Sequence, residues 1–103
     1  MRNTIRTLAA LVLMQQVAQA DVDPVRQTEL LYLLKHDCGS CHGMTRKGGL
    51  GPALLPETLQ QKPDELLFLT IREGRPGTPM PAWKSQLSDD DIHWLITLLR
   101  KGP

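Results

Sequence analysis

The segment DCGSCHGM, residues 37–44, contains both cysteines of the chain. They stand two residues apart, and His42 follows the second one directly. Such a pair can form a disulfide, contribute half of a zinc site, act as a redox-active dithiol or attach a prosthetic group. The rest of the sequence decides among these four chemistries.

The first twenty residues have the pattern of a secretory signal. Arg2 and Arg6 precede an apolar run over residues 8–14, and Ala18-Gln19-Ala20 supplies small residues at a cleavage site. The apolar run is too short for a stable membrane span, and the alternative is an uncleaved anchor. We therefore predict a signal peptide over residues 1–20, one domain over 21–103, a periplasmic location, and contact with a membrane only during export.

Charge and size narrow the class of protein further. Residues 1–20 contain two of the 12 Lys and Arg residues and none of the 11 Asp and Glu residues, so the remainder has a formal charge of −1. That balance argues against a nucleic-acid binder. A domain this small usually needs a disulfide, a metal or a cofactor to complete its core, and the sequence has only four aromatic residues.

The chain predicts an all-α domain. A first helix begins at Pro24 after Asp23 and carries an apolar stripe toward the cysteine motif. Glycines and prolines predict a loop over 43–61, a second helix follows over 63–73, and three prolines exclude regular helix over 75–83. A last helix starts after Ser88. The predicted apolar positions of the first and last helices are Val25, Leu30, Leu31, Leu33, Leu34, Ile92, Leu95, Ile96 and Leu99.

Haem attachment explains the cysteine motif best. Zinc needs four ligands, and no second CxxC or His pair is present. A thioredoxin-type dithiol needs strands that are not predicted, and a disulfide closing so short a loop stabilises little. Two thiols at i and i+3 can each add to a haem vinyl group, and the next imidazole is then directed at the iron. We predict one haem c, attached covalently through Cys38 and Cys41, with His42 as an iron ligand.

A six-coordinate iron needs a second axial ligand. Removal of residues 1–20 takes two of the four methionines, and His36 and Met44 are tied to the proximal side by their closeness to the motif. Met80 and His93 remain. Met80 stands between two prolines that stiffen its loop, whereas His93 lies outside the apolar stripe of the last helix. Met80 is the predicted ligand, as in other Met/His haems, and His93 is the alternative.

Four motifs in order resemble a monohaem class I cytochrome c. They are CGSCH at 38–42, GPAL at 51–54, MPAW at 80–83 and LSDDDIHWLITLL at 87–99. The resemblance implies a small class I cytochrome c fold, with about three main helices and loops around one haem. It also implies that Pro52 offers its carbonyl to the free nitrogen of His42, that Leu54 packs on the haem, and that Trp83 lies near the propionates. An ordinary turn at Pro52 and a plain core role for Trp83 are the alternatives.

The predicted function is electron transfer without catalysis. With His and Met on the iron, no position is open for a small-molecule substrate. Small size and a leucine-rich last helix are most similar to the NirC-type cytochromes c, encoded beside the cytochrome cd-type nitrite reductase of denitrifying bacteria. This narrower resemblance implies redox proteins as partners, either that nitrite reductase or the proteins that mature its haem.

The sequence leaves three alternative functions open and also predicts a basic surface. The alternatives are an exported CxxC thiol-disulfide oxidoreductase, a carrier to another periplasmic reductase or oxidase, and a haem with an open sixth position. Basic residues near two of the motifs predict a basic rim at the exposed haem edge. These residues are Arg46, Lys47, Arg75 and Lys84.

Overall fold

The computed structural model describes residues 21–103, so the predicted signal peptide lies outside the described residues. Residues 21–103 contain five α-helical segments and no strand. These are α1 (Pro24–Leu33), α2 (Gly39–His42), α3 (Pro56–Leu59), α4 (Asp64–Glu73) and α5 (Asp89–Lys101), and a π-helical segment, Leu34–Cys38, joins α1 to α2. The all-α prediction is confirmed. No helix in this part of the chain has the length and hydropathy that a membrane span requires.

Helix α1 begins as predicted but buries fewer side chains than predicted. Asp23 caps it by accepting a hydrogen bond from the backbone N–H of Arg26 at 3.0 Å. Leu30 and Leu34 are buried, whereas Val25 is 72% exposed and Leu31 is 45% exposed. The predicted apolar stripe was therefore too wide, because a helix that packs through one side buries only positions in register with residues 30 and 34.

Helix α5 contributes more buried side chains to the core than any other helix in residues 21–103. Ser88 and Asp91 form a capping box at its start, each side chain accepting a hydrogen bond from the other's backbone N–H. The predicted stripe of Ile92, Leu95, Ile96 and Leu99 is buried. Helix α4 packs on α5, and the ring of Phe68 stacks on the exposed His93 at 4.5 Å between centroids.

The prediction of an uninterrupted loop over residues 43–61 was wrong at α3. Pro56 occupies the first turn of this short helix, where the missing N–H costs nothing. Leu59 is buried against the core, and its carbonyl accepts a hydrogen bond from the Arg100 side chain at 3.2 Å. Contacts with α5 thus stabilise a single turn that local composition does not predict.

Candidate functional site

A cavity of about 520 Å³ lies between the cysteine motif, helix α4, the loop over residues 75–83 and helix α5. All seven residues predicted for the haem site line it: Cys38, Cys41, His42, Pro52, Leu54, Met80 and Trp83. Much of the remaining wall is aliphatic and includes Leu59, Leu67, Ile71, Leu95, Ile96 and Leu99. A volume within the roughly 300–1,000 Å³ of cofactor pockets and a mostly apolar wall suit a large planar cofactor.

The two cysteines lie at the junction of the π-helical segment and α2. Both thiols are free and half-buried. Burial, reinforced by the nearby charge of Asp37, raises the pKa of Cys38 to about 11. A thiol with that pKa is protonated at neutral pH, whereas a redox-active dithiol needs a thiolate as its nucleophile. Burial therefore disfavours Cys38 as the nucleophile of a thiol-disulfide oxidoreductase.

The orientation of His42 is set by the segment that follows the motif. Its Nδ1 lies 2.6 Å from the carbonyl oxygen of Pro52. Because a carbonyl oxygen only accepts hydrogen bonds, Nδ1 carries the proton and Nε2 keeps its lone pair for a metal. Gly51 closes one side of the imidazole, since a β-carbon at this position would lie 2.9 Å from both Cε1 and Nδ1 of the ring.

Backbone hydrogen bonds hold this segment on the end of α2. The Gly51 N–H donates to the carbonyl of Cys41 at 2.9 Å, and the Gly48 N–H donates to that of His42 at 2.8 Å. These carbonyls belong to the last turn of a helix and have no partner within it. The chain that carries Pro52 is thereby fixed to the same turn that carries the imidazole.

The loop that carries Met80 is attached to the end of α4 by the same means. The N–H groups of Trp83 and Lys84 donate to the carbonyls of Ile71 and Arg72, at 3.1 and 3.3 Å. Gly74 ends the helix with φ +69°, and a β-carbon there would lie 2.6 Å from the carbonyl carbon of Pro81. Helix α4 and the loop therefore meet backbone to backbone, and Met80 is delivered to the cavity without a helix of its own.

The alternative iron ligands lie elsewhere. His93 does not line the cavity, and the ring of His36 packs against that of Tyr32 at a tilt of 39°, with 4.3 Å between ring centroids. Met44 is 58% exposed and lines a different, smaller cavity. Within residues 21–103, the side chains that bring sulfur or imidazole nitrogen to the cavity are therefore Cys38, Cys41, His42 and Met80.

The predicted basic rim is only partly present. Arg75 lines the cavity, but Lys84 forms an ion pair with Glu73 at 3.0 Å and Arg46 lines the smaller cavity. Lys62 lines the main cavity and was missed by the sequence analysis, because nothing in its neighbourhood marks it as part of a site. Gly51 was also missed as a contact of His42, although its place next to Pro52 was a signal.

Comparisons with known proteins agree with this geometry. The family described as cytochrome c oxidase, cbb3-type, subunit III, matches residues 25–99. Cytochrome c55X from Pseudomonas aeruginosa is 52% identical over 86 residues, which cover 84% of this chain and 72% of that protein. The chain belongs to the c-type cytochromes.

Two further relatives refine the comparison. The solved structure of a c-type cytochrome NirC has a TM-score of 0.76 and 54% identity, covering 78% of this cytochrome and 94% of that chain. Dihydro-heme d1 dehydrogenase from Pseudomonas aeruginosa is 38% identical over 96 residues, which cover 93% of this cytochrome but only 18% of that enzyme. The fold is that of a small class I cytochrome c.

Membership of this family determines the cofactor. A c-type cytochrome holds its haem through thioether bonds to cysteine, and this cytochrome has two cysteines in the whole sequence. It therefore carries one haem c, attached through Cys38 and Cys41. The cavity fits the group, because it combines two free thiols, an imidazole with an available Nε2, and aliphatic walls.

Proposed function

We propose that this cytochrome is a periplasmic carrier of single electrons whose iron is bound by His42 and Met80. One observation carries the proposal: the cysteine motif and the Met80 thioether line the same cavity, while the competing ligand His93 does not. Haem c supplies an iron that alternates between the ferrous and ferric states. With His42 and Met80 as its ligands, the iron would exchange electrons without binding a substrate.

The side chains around the cavity tune this chemistry. Pro52 keeps the proton on Nδ1 of His42 and so increases the basicity of Nε2. The thioether of Met80 is a soft ligand that favours the ferrous state, and the aliphatic wall disfavours net charge. Both effects support a positive reduction potential rather than one in the range of ferredoxins.

The proposed partners belong to the nitrite reductase system. Similarity to a c-type cytochrome NirC and to dihydro-heme d1 dehydrogenase supports a role as electron donor to cytochrome cd-type nitrite reductase or as redox partner in the maturation of its haem. Removal of two hydrogen atoms from a dihydro-haem releases two protons and two electrons, and a one-electron carrier accepts these electrons in two separate encounters. The predicted signal peptide supports the periplasmic location.

Carbon monoxide tests the ligand set. The reduced holoprotein at neutral pH is expected not to bind carbon monoxide, because Met80 occupies the sixth position. Met80→Ala should bind it readily, lose the weak far-red band of Met-bound ferric haem, and have a lower reduction potential. Met44→Ala is the matched control, since Met44 lies outside the haem cavity, and it should behave as wild type. Ready binding of carbon monoxide by the wild-type protein would overturn the proposed carrier role.

Stopped-flow kinetics test the partners. The ferrous cytochrome is mixed with oxidised cytochrome cd-type nitrite reductase, and the ferric cytochrome is mixed with dihydro-heme d1 dehydrogenase during turnover. Fast, second-order electron transfer in one of the two experiments assigns the direction of electron flow. Slow transfer in both would separate this cytochrome from the nitrite reductase system while leaving its ligand set intact.

A further inference from the structure

A second cavity, of about 230 Å³, lies beside the haem cavity and shares one wall with it. Leu34 lines both cavities. The walls of the second cavity are formed by the apolar residues Leu31, Leu34, Met44 and Pro103 and the polar residues Lys35, Thr45 and Arg46. The second cavity thus combines apolar walls with two cations and a hydroxyl, whereas the haem cavity has mostly aliphatic walls. The two cavities therefore suit different ligands.

The guanidinium of Arg46 has no partner within residues 21–103. It makes no hydrogen bond or ion pair to these residues, and its Nη1 is completely buried. By contrast, the side chains of Arg26, Arg72 and Arg100 each form an ion pair with an aspartate. Removal of a charged group from water is unfavourable unless an opposite charge or a hydrogen bond replaces the lost hydration. Within these residues, the Arg46 guanidinium therefore lacks a hydrogen-bond acceptor or a counterion.

The backbone of Arg46 gives independent evidence. Arg46 has φ +64° and is the one non-glycine residue with positive φ in residues 21–103. Its N–H donates to the carbonyl of Gly43 and its carbonyl accepts from the N–H of Leu54, both at 2.9 Å, so the turn itself requires this conformation. Glycine would adopt it without the cost of roughly 1 kcal/mol that a β-carbon adds. Strain of this kind is found at functional sites. Compared with glycine at this position, arginine adds a guanidinium group, and we attribute the retained strain to that group.

We propose that the second cavity binds a carboxylate carried on a short apolar stem. The planar fork of a guanidinium matches a carboxylate better than a spherical anion. Lys35 adds a second cation and Thr45 a hydroxyl donor, while Leu31 and Met44 provide apolar surface for the stem. Either a free short-chain acid or the side chain of a glutamate on a partner protein has this chemistry. The proposal does not depend on which residues bind the iron.

An NMR titration of the ¹⁵N-labelled holoprotein tests it, with butyrate as the probe and butyramide as its uncharged equivalent. Butyrate should cause saturable shifts of the Arg46 side-chain N–H and the Thr45 amide, and butyramide should not. Arg46→Gln should weaken binding at least tenfold. Arg46→Gly should show the same loss, but with an unfolding midpoint at or above that of Arg46→Gln because it removes the backbone strain.

Controls and a second probe make the outcome decisive. Lys84→Gln removes a cation that lies outside this cavity and should leave butyrate binding unchanged. N-acetyl-glutamate N-methylamide carries the same carboxylate on a peptide. Tighter binding of this compound than of butyrate would assign the site to a glutamate side chain of a partner protein. Tighter binding of butyrate would assign the site to a free short-chain acid. Absence of saturable binding by either compound, or equal binding by the Arg46 variants, would overturn the proposal.

Discussion

At the scale of single residues, the site depends on how one imidazole is held. Three contacts converge on the turn that carries His42: the 2.6 Å contact from its Nδ1 to Pro52, the close approach of Gly51 to the ring, and the Gly51 hydrogen bond to Cys41. The first fixes which nitrogen carries the proton, and the second leaves no room for a side chain beside the ring. All three contacts come from one short segment. A substitution in that segment should therefore shift the His42 ring while His42 remains the iron ligand.

We predict that Gly51→Ala displaces the imidazole while the haem stays attached. The backbone of Gly51 is not in the left-handed region, so the new methyl group acts only through its contact with His42. Overpacking of this kind should lower the free energy of unfolding by about 1–3 kcal/mol. A weaker hydrogen bond to Pro52 should reduce the basicity of Nε2 and raise the reduction potential.

Electron paramagnetic resonance of the ferric holoprotein and potentiometry measure these effects. Gly77→Ala is the control, because a β-carbon at Gly77 meets no atom within 4 Å and acts only through its φ of +80°. It should lower stability and leave the spectrum and the potential unchanged. A wild-type spectrum and potential for Gly51→Ala would show that this glycine does not position the ring.

At the scale of secondary-structure elements, a polar cluster joins the first and last helices. The Asp91 carboxylate accepts hydrogen bonds from Arg26 Nη2 at 2.8 Å, from Arg26 Nε at 3.2 Å and from the backbone N–H of Ser88 at 3.0 Å. Arg26 also donates to the carbonyl of Gln86 at 2.9 Å. Burial alone would raise the pKa of Asp91, but the hydrogen bonds from Arg26 and Ser88 outweigh it and hold that pKa below its usual value.

We predict that Asp91→Asn lowers the free energy of unfolding at pH 7 by about 1.5–3 kcal/mol, the range for hydrogen bonds to charged groups. Because the folded-state pKa is lowered, the contribution of Asp91 is complete well above pH 3.8, the ordinary value, and is lost as the pH falls below it through the folded-state pKa. The difference between variant and wild type should therefore shrink in acid.

Urea unfolding of the holoprotein at pH values from 7 to 3 measures this difference. Asp90→Asn is the matched control, since Asp90 is exposed in the same first turn of α5 and should change stability by about 0.5 kcal/mol or less. An Asp91→Asn variant as stable as Asp90→Asn at pH 7 would contradict the role assigned to the cluster.

At the scale of the whole molecule, the haem cavity is the centre of the hydrophobic core. Six buried core residues also line the cavity: Leu34, Leu59, Leu87, Leu95, Ile96 and Leu99. At roughly 24 cal/mol per Å³ of cavity, an unfilled volume of this size would cost on the order of 10 kcal/mol. That cost is similar to the entire stability of a small domain.

We therefore predict that Cys38→Ala/Cys41→Ala, which cannot attach haem, is largely unfolded in solution. Circular dichroism should show little helix and no cooperative thermal transition. The single variant Cys38→Ala is the control: it retains one thioether and both proposed iron ligands, so it should keep the haem and the fold. A cooperative transition in the haem-free double variant would show that the chain folds without its cofactor.

The charge around the cavity supports a prediction about electron-transfer rates. Lys62 and Arg75 line the cavity, and neither forms an ion pair with a carboxylate in residues 21–103. Leu50, which is 93% exposed, also lines it. Cations near an exposed redox centre attract anionic partners over long range, and this attraction appears in the association rate.

Replacement of both cations, Lys62→Gln/Arg75→Gln, should slow oxidation of the ferrous holoprotein by ferricyanide several-fold at low salt. The difference should decrease toward an ionic strength of 0.1 M, where the Debye length is about 10 Å. The control Lys47→Gln/Lys101→Gln removes the same net charge from exposed positions outside the cavity and should have a smaller effect. Equal slowing by both double variants in stopped-flow experiments would mean that net charge, not its location, controls the rate.

The sequence alone was sufficient for features that depend on neighbouring residues. The CxxCH spacing predicted the cofactor, and cap residues and the apolar spacing of α5 predicted the all-α class, because capping and helical periodicity are local properties. Prolines on both sides of Met80 indicated a stiff loop without a helix. The motif order at 38–42, 51–54, 80–83 and 87–99 indicated the family.

Tertiary structure decided features that join residues distant in the chain. It placed Met80 in the haem cavity and His93 against Phe68, formed α3 where a loop was predicted, and paired Arg26 with Asp91 across 65 positions. It also separated the residues of the predicted basic rim: Arg46 lines the second cavity, whereas Arg75 lines the haem cavity together with Lys62. No local pattern contains these outcomes, because each depends on which side chains the packing of α4 and α5 brings within contact distance.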